Sequence, residues 1–157
     1  MTLISRIILL SFLMLSSSVF AELRIEVTKG VDNAVRVAVV PFDWRSSGRL
    51  SENVSDIVSS DLLLSGRFET LPKDQMLSLP HKADEVFFRD WRLLNIEYLV
   101  IGHMKRTGRN IELHFELYNV FRQSEDISFT IVGKEADLRD MAHYVSDVVF
   151  EKLTGIE

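Results

Sequence analysis

Apolar and polar residues run along this chain in two rhythms, a period of two that marks strands and a period near 3.6 that marks helices. Leu23, Ile25 and Val27 alternate with Glu22, Arg24, Glu26 and Thr28, which predicts a strand with one apolar face ending at Lys29-Gly30. Val35-Arg36-Val37-Ala38-Val39-Val40 is almost wholly apolar and β-branched, as a strand buried on both faces should be, and Pro41 removes the donor that would continue it. After a polar loop, Ser51 is expected to cap a helix with Val54, Ile57, Val58 and Leu62 on one face and Gly66 at its exit. Arg67 to Leu71 reads as a short strand stopped by Pro72, and Lys73 to Lys82 as a loop. Asp84 is expected to open a second helix carrying Phe87, Phe88, Trp91 and Leu94 on one stripe, closed by Asn95.

The second half predicts a meander. Tyr98 to Lys105 and Ile111 to Leu117 flank Thr107-Gly108-Arg109-Asn110, a hairpin signal. With Gly108 and Arg109 at the tip, Thr107 pairs with Asn110, Lys105 faces Glu112 and Met104 faces Leu113, so charge meets charge and apolar meets apolar. Ile127 to Ile131 alternates as a third strand. Asp137 then begins a helix with Leu138, Met141, Ala142, Val145, Val148, Val149 and Leu153 on one face and Gly155 at its end. The predicted fold is α/β (α+β), a mixed β-sheet of about five to six strands with two main helices on one face plus a shorter helix.

Ahead of the first strand stands an export signal of the bacterial type. Arg6 precedes the apolar run Ile7 to Leu15, and Ser16-Ser17-Ser18-Val19-Phe20-Ala21 follows it. An anchor helix would need about 20 apolar residues, so the run predicts cleavage between Ala21 and Glu22, and no stable membrane anchor afterwards. The expected organisation is a signal peptide over 1–21, an amino-terminal strand and linker over 22–34, and an α/β domain over 35–157.

Composition narrows the chemistry. The chain has no cysteine, which removes disulfides, thiolate metal sites, cysteine nucleophiles and a lipidated cysteine. Without Arg6, 17 basic residues stand against 23 acidic ones, a formal net charge of −6 that repels phosphate backbones and argues against a nucleic-acid partner. There is no phosphate-binding glycine loop, dinucleotide fingerprint or nucleophile elbow, so no enzymatic activity and no cofactor are expected.

Three candidates for chemistry remain. His103 facing His114, with Glu116 two residues on, is a metal or hydrolytic candidate lacking a full ligand set; otherwise both rings sit on a half-exposed face and titrate near about 6.5. Asp43-Trp44-Arg45-Ser46-Ser47-Gly48-Arg49 leaves a central strand for a helix, where open α/β sheets often bind ligands and where an anion could be held. Phe87, Phe88 and Trp91 form either a docking patch or core. Asn53-Val54-Ser55 matches a glycosylation acceptor, which carries little weight behind a bacterial signal. The strand from Glu22 to Thr28 is open to two uses: a terminal strand usually pairs within its own domain, but a free-ended one can add itself to the sheet edge of a partner.

Several segments in order resemble the TolB family of the Tol-Pal envelope system. They are Glu22 to Gly30, Val39-Val40-Pro41-Phe42-Asp43-Trp44, Asp61-Leu62-Leu63-Leu64-Ser65-Gly66-Arg67-Phe68, Trp91 to Gly102, and Val149 to Ile156. The resemblance implies a periplasmic, non-enzymatic interaction protein that supports envelope integrity, outer-membrane constriction at division and, when exploited, colicin import. It also implies that Glu22, Leu23, Arg24, Ile25, Glu26, Val27 and Thr28 are offered to TolA. In the family this domain precedes a β-propeller that carries the main surface for Pal and for colicins. Glu157 ends the sequence before any propeller repeat, so Pal binding is not expected of these residues. The other reading is a different exported α/β assembly module of an outer-membrane secretion or appendage system, in which Val37 to Phe42 is a shared core strand.

Overall fold

The computed structural model describes residues 34–156. The predicted signal peptide, its cleavage site at Ala21 and Glu22, and the strand Glu22 to Thr28 lie outside the described residues.

Among the described residues, one sheet holds six strands: β1 (Val35–Val39), β2 (Asp43–Trp44), β3 (Phe68–Thr70), β4 (Tyr98–Thr107), β5 (Asn110–Asn119) and β6 (Ser124–Lys134). The hydrogen-bonded order is β3-β1-β4-β5-β6, with β2 on β4. β1 is parallel to β3 and β4, whereas β4, β5 and β6 are antiparallel. Two long helices, α1 (Val54–Leu64) and α3 (Leu138–Thr154), and a short one, α2 (Phe88–Leu93), complete the fold.

The alternation of β1 sorts its side chains between two cores. Val37 and Val39 join Val54, Val58 and Leu62 of α1, Leu138, Met141, Ala142, Val145 and Val149 of α3, and the inward residues of β4 and β5. Ala38 and Val40 face the opposite way, toward Trp91, Ile96, Leu99, Ile101, Tyr118 and Val120. The sheet therefore carries both long helices on one face and α2 on the other.

The hairpin register is the one charge and hydrophobicity dictate: Thr107 pairs with Asn110, Lys105 with Glu112 and Met104 with Leu113. Lys105 Nζ and Glu112 Oε1 are 2.8 Å apart. Gly155 ends α3 at φ +69°, and its N–H closes on the Glu151 carbonyl at 2.8 Å.

Four elements differ from expectation. Asn53, not Ser51, caps α1, because its Oδ1 accepts the Asp56 N–H while its Nδ2 donates to Asp56 Oδ2 at 2.7 Å. Asp84 does not open a helix: it lies in one 3₁₀ turn, Ala83–Glu85, and α2 begins only at Phe88. β3 is shorter than Arg67 to Leu71, and β6 is longer than Ile127 to Ile131.

A fifth difference shapes the open face. Val39 pairs with Val100, an offset of 61, but Asp43 pairs with His103, an offset of 60. One residue is therefore extra at Pro41, where the missing N–H breaks the ladder. A one-residue slip exchanges the faces. Phe42 and Trp44 consequently turn to the α1 side and pack on its core. Asp43 and Arg45 turn with His103 to the other side.

Candidate functional site

β4 and β5 place His103 and His114 directly opposite each other, as the spacing predicts. Their ring centroids are 5.0 Å apart. Thr130 of β6 stands beyond His114 in register, so a polar row crosses four strands from Asp43 through His103 and His114 to Thr130.

His114 has both ring nitrogens engaged. Nδ1 is 2.9 Å from Thr130 Oγ1, and Nε2 is 3.0 Å from Glu116 Oε1. The other Glu116 oxygen accepts the Tyr118 hydroxyl at 2.5 Å, and Glu125 lies 3.5 Å from that hydroxyl. Burial, then the two carboxylates, pushes the Tyr118 phenol well above its ordinary range and keeps it a donor. The result is a continuous chain, Thr130, His114, Glu116, Tyr118, Glu125, that ties β5 to β6.

His103 stands beside this chain. Its Nδ1 is buried with no hydrogen-bond partner among the described residues. Burial is the main force holding its pKa below the ordinary histidine value; Arg45 and His114 add to it, while Glu116 and Asp43 oppose it. The expectation that both rings titrate near 6.5 is corrected here for His103. Among the described residues, no group of three or more His, Asp or Glu side chains is arranged to hold a metal ion. The structure thus brings His103, His114 and Glu116 together without making them a ligand set.

The loop after β2 closes on itself. Arg45 Nε donates to Asp43 Oδ2 at 2.9 Å, Trp44 Nε1 donates to the Gly48 carbonyl at 3.1 Å, and Ser46 Oγ accepts the Arg106 N–H at 2.9 Å. The Arg106 guanidinium lies 5.8 Å from the Trp44 ring centroid. A cavity of about 370 Å³ lies between this loop, Phe42 and the start of α1. Arg49 and Glu52 both line it, and Asn53 occupies the helix start. The aromatic stripe divides: Trp91 is core at 1 % exposure, while Phe87 is 65 % exposed.

Two features were invisible to sequence reading. One is the part played by Tyr118, Glu125 and Thr130, since it needs the register of β6. The other joins α1 to α3: Asp61 Oδ2 receives the Ser146 hydroxyl at 2.7 Å and lies 2.7 Å from His143 Nδ1. Ser146 bonds the carboxylate and not the imidazole, so this is an interhelical clamp and not a nucleophile with its base. Helical spacing of His143 and Ser146 was the only signal available.

Similarity to known proteins agrees with the segments noted above. A family model described as the TolB amino-terminal domain matches residues 23–125. The chain is 42 % identical over 136 residues to the Tol-Pal system protein TolB of Pseudomonas syringae pv. syringae, covering 87 % of this chain and 31 % of that protein. It is 35 % identical over 157 residues to the Tol-Pal system protein TolB of Pseudomonas aeruginosa, covering 100 % of this chain and 36 % of that protein. The crystal structure of TolB from Acinetobacter baumannii superposes with a TM-score of 0.66 at 30 % identity, over 80 % of this chain and 29 % of that one. The chain therefore spans about a third of the length of the curated relatives it matches.

Proposed function

The chain belongs to the TolB amino-terminal domain family, and from that premise we propose that it is a periplasmic, non-enzymatic interaction module of the Tol-Pal system that engages TolA through Glu22 to Thr28. The observation that carries this reading is the reach of the similarity, which takes in the first strand as well as the sheet domain. Physical chemistry supports the assignment of roles. Leu23, Ile25 and Val27 alternate with polar residues, the pattern of a strand with one apolar face, directly after the point where the export signal is expected to be cut. Such a strand gains affinity from backbone hydrogen bonds to a partner's sheet edge and specificity from alternate side chains. His114, Glu116 and Tyr118 on β5 and Asp61 with Ser146 and His143 between the helices are held by one another, which favours a supporting scaffold over a reaction centre. On this reading the module contributes to envelope integrity and to outer-membrane constriction at division. Binding of Pal and of colicins, which the resemblance assigns to the propeller, is not extended to these residues.

Calorimetric titration of the periplasmic domain of TolA with residues 22–157 and with residues 29–157 tests the proposal. The longer chain should bind and the shorter one should lose at least tenfold in affinity. Equal affinity would remove the strand from the mechanism.

A further inference from the structure

We propose that the face of the β4–β5–β6 meander left uncovered among the described residues is an acid-responsive clasp: His103 and His114 accommodate one proton between them, and a second opens the side-chain chain that ties edge strand β6 to β5. The inference starts from the position of β6. It is the last strand of the sheet and has β5 as its one partner strand among the described residues. On the α3 side it is held by apolar packing: Ile127 and Ile131 lie against the main core, and Gly133 passes so close to Met141 that a Cβ there would stand 2.7 Å from its sulfur. On the opposite side the second core ends at Ile101 and Tyr118. Beyond it, β6 is tied down by two polar contacts, Thr130 to His114 Nδ1 at 2.9 Å and Glu125 to the Tyr118 hydroxyl at 3.5 Å, which are joined along β5 through Glu116.

Charge decides what that arrangement tolerates. Facing His103 are Asp43 and Arg45 from β2, and His114 and Glu116 from β5. Lys105 and Glu112, the next pair along this face, neutralise each other at 2.8 Å. A proton on the His114 ring would be paired, because its Nε2 lies 3.0 Å from the Glu116 carboxylate. A second, on His103, would place two cations with ring centroids 5.0 Å apart, with Arg45 on the far side. Relief comes from His114 turning away, and that movement breaks its contacts to both Thr130 and Glu116.

The linkage has a definite sign. His103 is depressed in the folded protein by burial first and by the two cations second. Above pH of about 6.5 it is neutral folded or unfolded; as the pH falls below that value the unfolded or opened form takes the proton first. Stability is thus present above the unfolded pKa and lost as pH falls through the folded one.

Imidazole resonances of the purified chain, followed by NMR from pH 8 to pH 4.5, test the clasp together with backbone amide exchange in β6. His103 should gain its proton below the ordinary histidine range. In His114→Gln the His103 midpoint should climb toward about 6.5. After correction for intrinsic rates, exchange at Ile127 to Ile131 should rise by up to about tenfold per pH unit below 6.5 in the unaltered chain, and stay nearly flat in His103→Gln. If His114→Gln fails to fold, the His103→Gln comparison decides alone. Titration of His103 near about 6.5 in the unaltered chain, or the same acid response of β6 with and without His103, would overturn the proposal.

Discussion

Gly102 lies where β4 runs closest to its neighbours. A Cβ added there would stand 2.6 Å from the His114 carbonyl oxygen and 3.0 Å from the Phe42 ring. Backbone cannot yield as a side-chain tip can, so Gly102→Ala should cost about 1–3 kcal/mol, read as a lower urea midpoint with unchanged slope. Gly155 has nothing within 4 Å of the same position but sits at φ +69°. Its replacement by Ala should cost about 1–2 kcal/mol through conformation alone. Urea curves for these variants check both: an unchanged midpoint in Gly102→Ala would contradict the close approach at Gly102.

Among elements, the start of α1 offers the sharpest test of local chemistry. Asn53 reaches both the Asp56 N–H and its carboxylate. Asn53→Ala should therefore lose about 1 kcal/mol of unfolding free energy, while Ser51→Ala, outside the cap, should stay within about 0.5 kcal/mol. Both residues can cap, and the sequence does not say which backbone turn will form, so the choice of Ser51 was open to error. The hairpin of β4 and β5 was legible in full because Lys105 opposite Glu112 and Met104 opposite Leu113 make sense in one register only. The second helix was not. Phe87, Phe88 and Trp91 have helical spacing, yet Phe87 is solvent-exposed and the chain between Asp84 and Phe88 spends itself in a 3₁₀ turn. The site was half legible. His103 opposite His114 follows from the hairpin, but Asp43 and Arg45 join that face only because the ladder slips at Pro41, and Thr130 only because of how β6 aligns. Those are decisions of tertiary pairing, and no local pattern encodes them.

At the scale of the molecule, the sheet is held by two unequal cores, the larger beneath α1 and α3. Leu62 belongs to it at 1 % exposure, whereas Leu64, two residues on, is 82 % exposed. Leu62→Ala should cost about 2–5 kcal/mol and Leu64→Ala no more than about 0.5, checked by thermal unfolding with matched chains. Comparable losses at both positions would mean that α1 packs differently. The scaffold built this way belongs to a family known from longer chains, of which these residues span about a third. On the proposed reading its interaction role rests on the alternating residues Glu22 to Thr28, and that division of labour can be tested directly. In an NMR titration of residues 22–157 with the periplasmic domain of TolA, the account predicts that the first and largest shifts fall on Leu23, Ile25 and Val27 while the sheet residues Val35 to Val39 and Tyr98 to Lys134 hold their positions. Shifts concentrated on the sheet or on α1 and α3, with Glu22 to Thr28 unmoved, would contradict it.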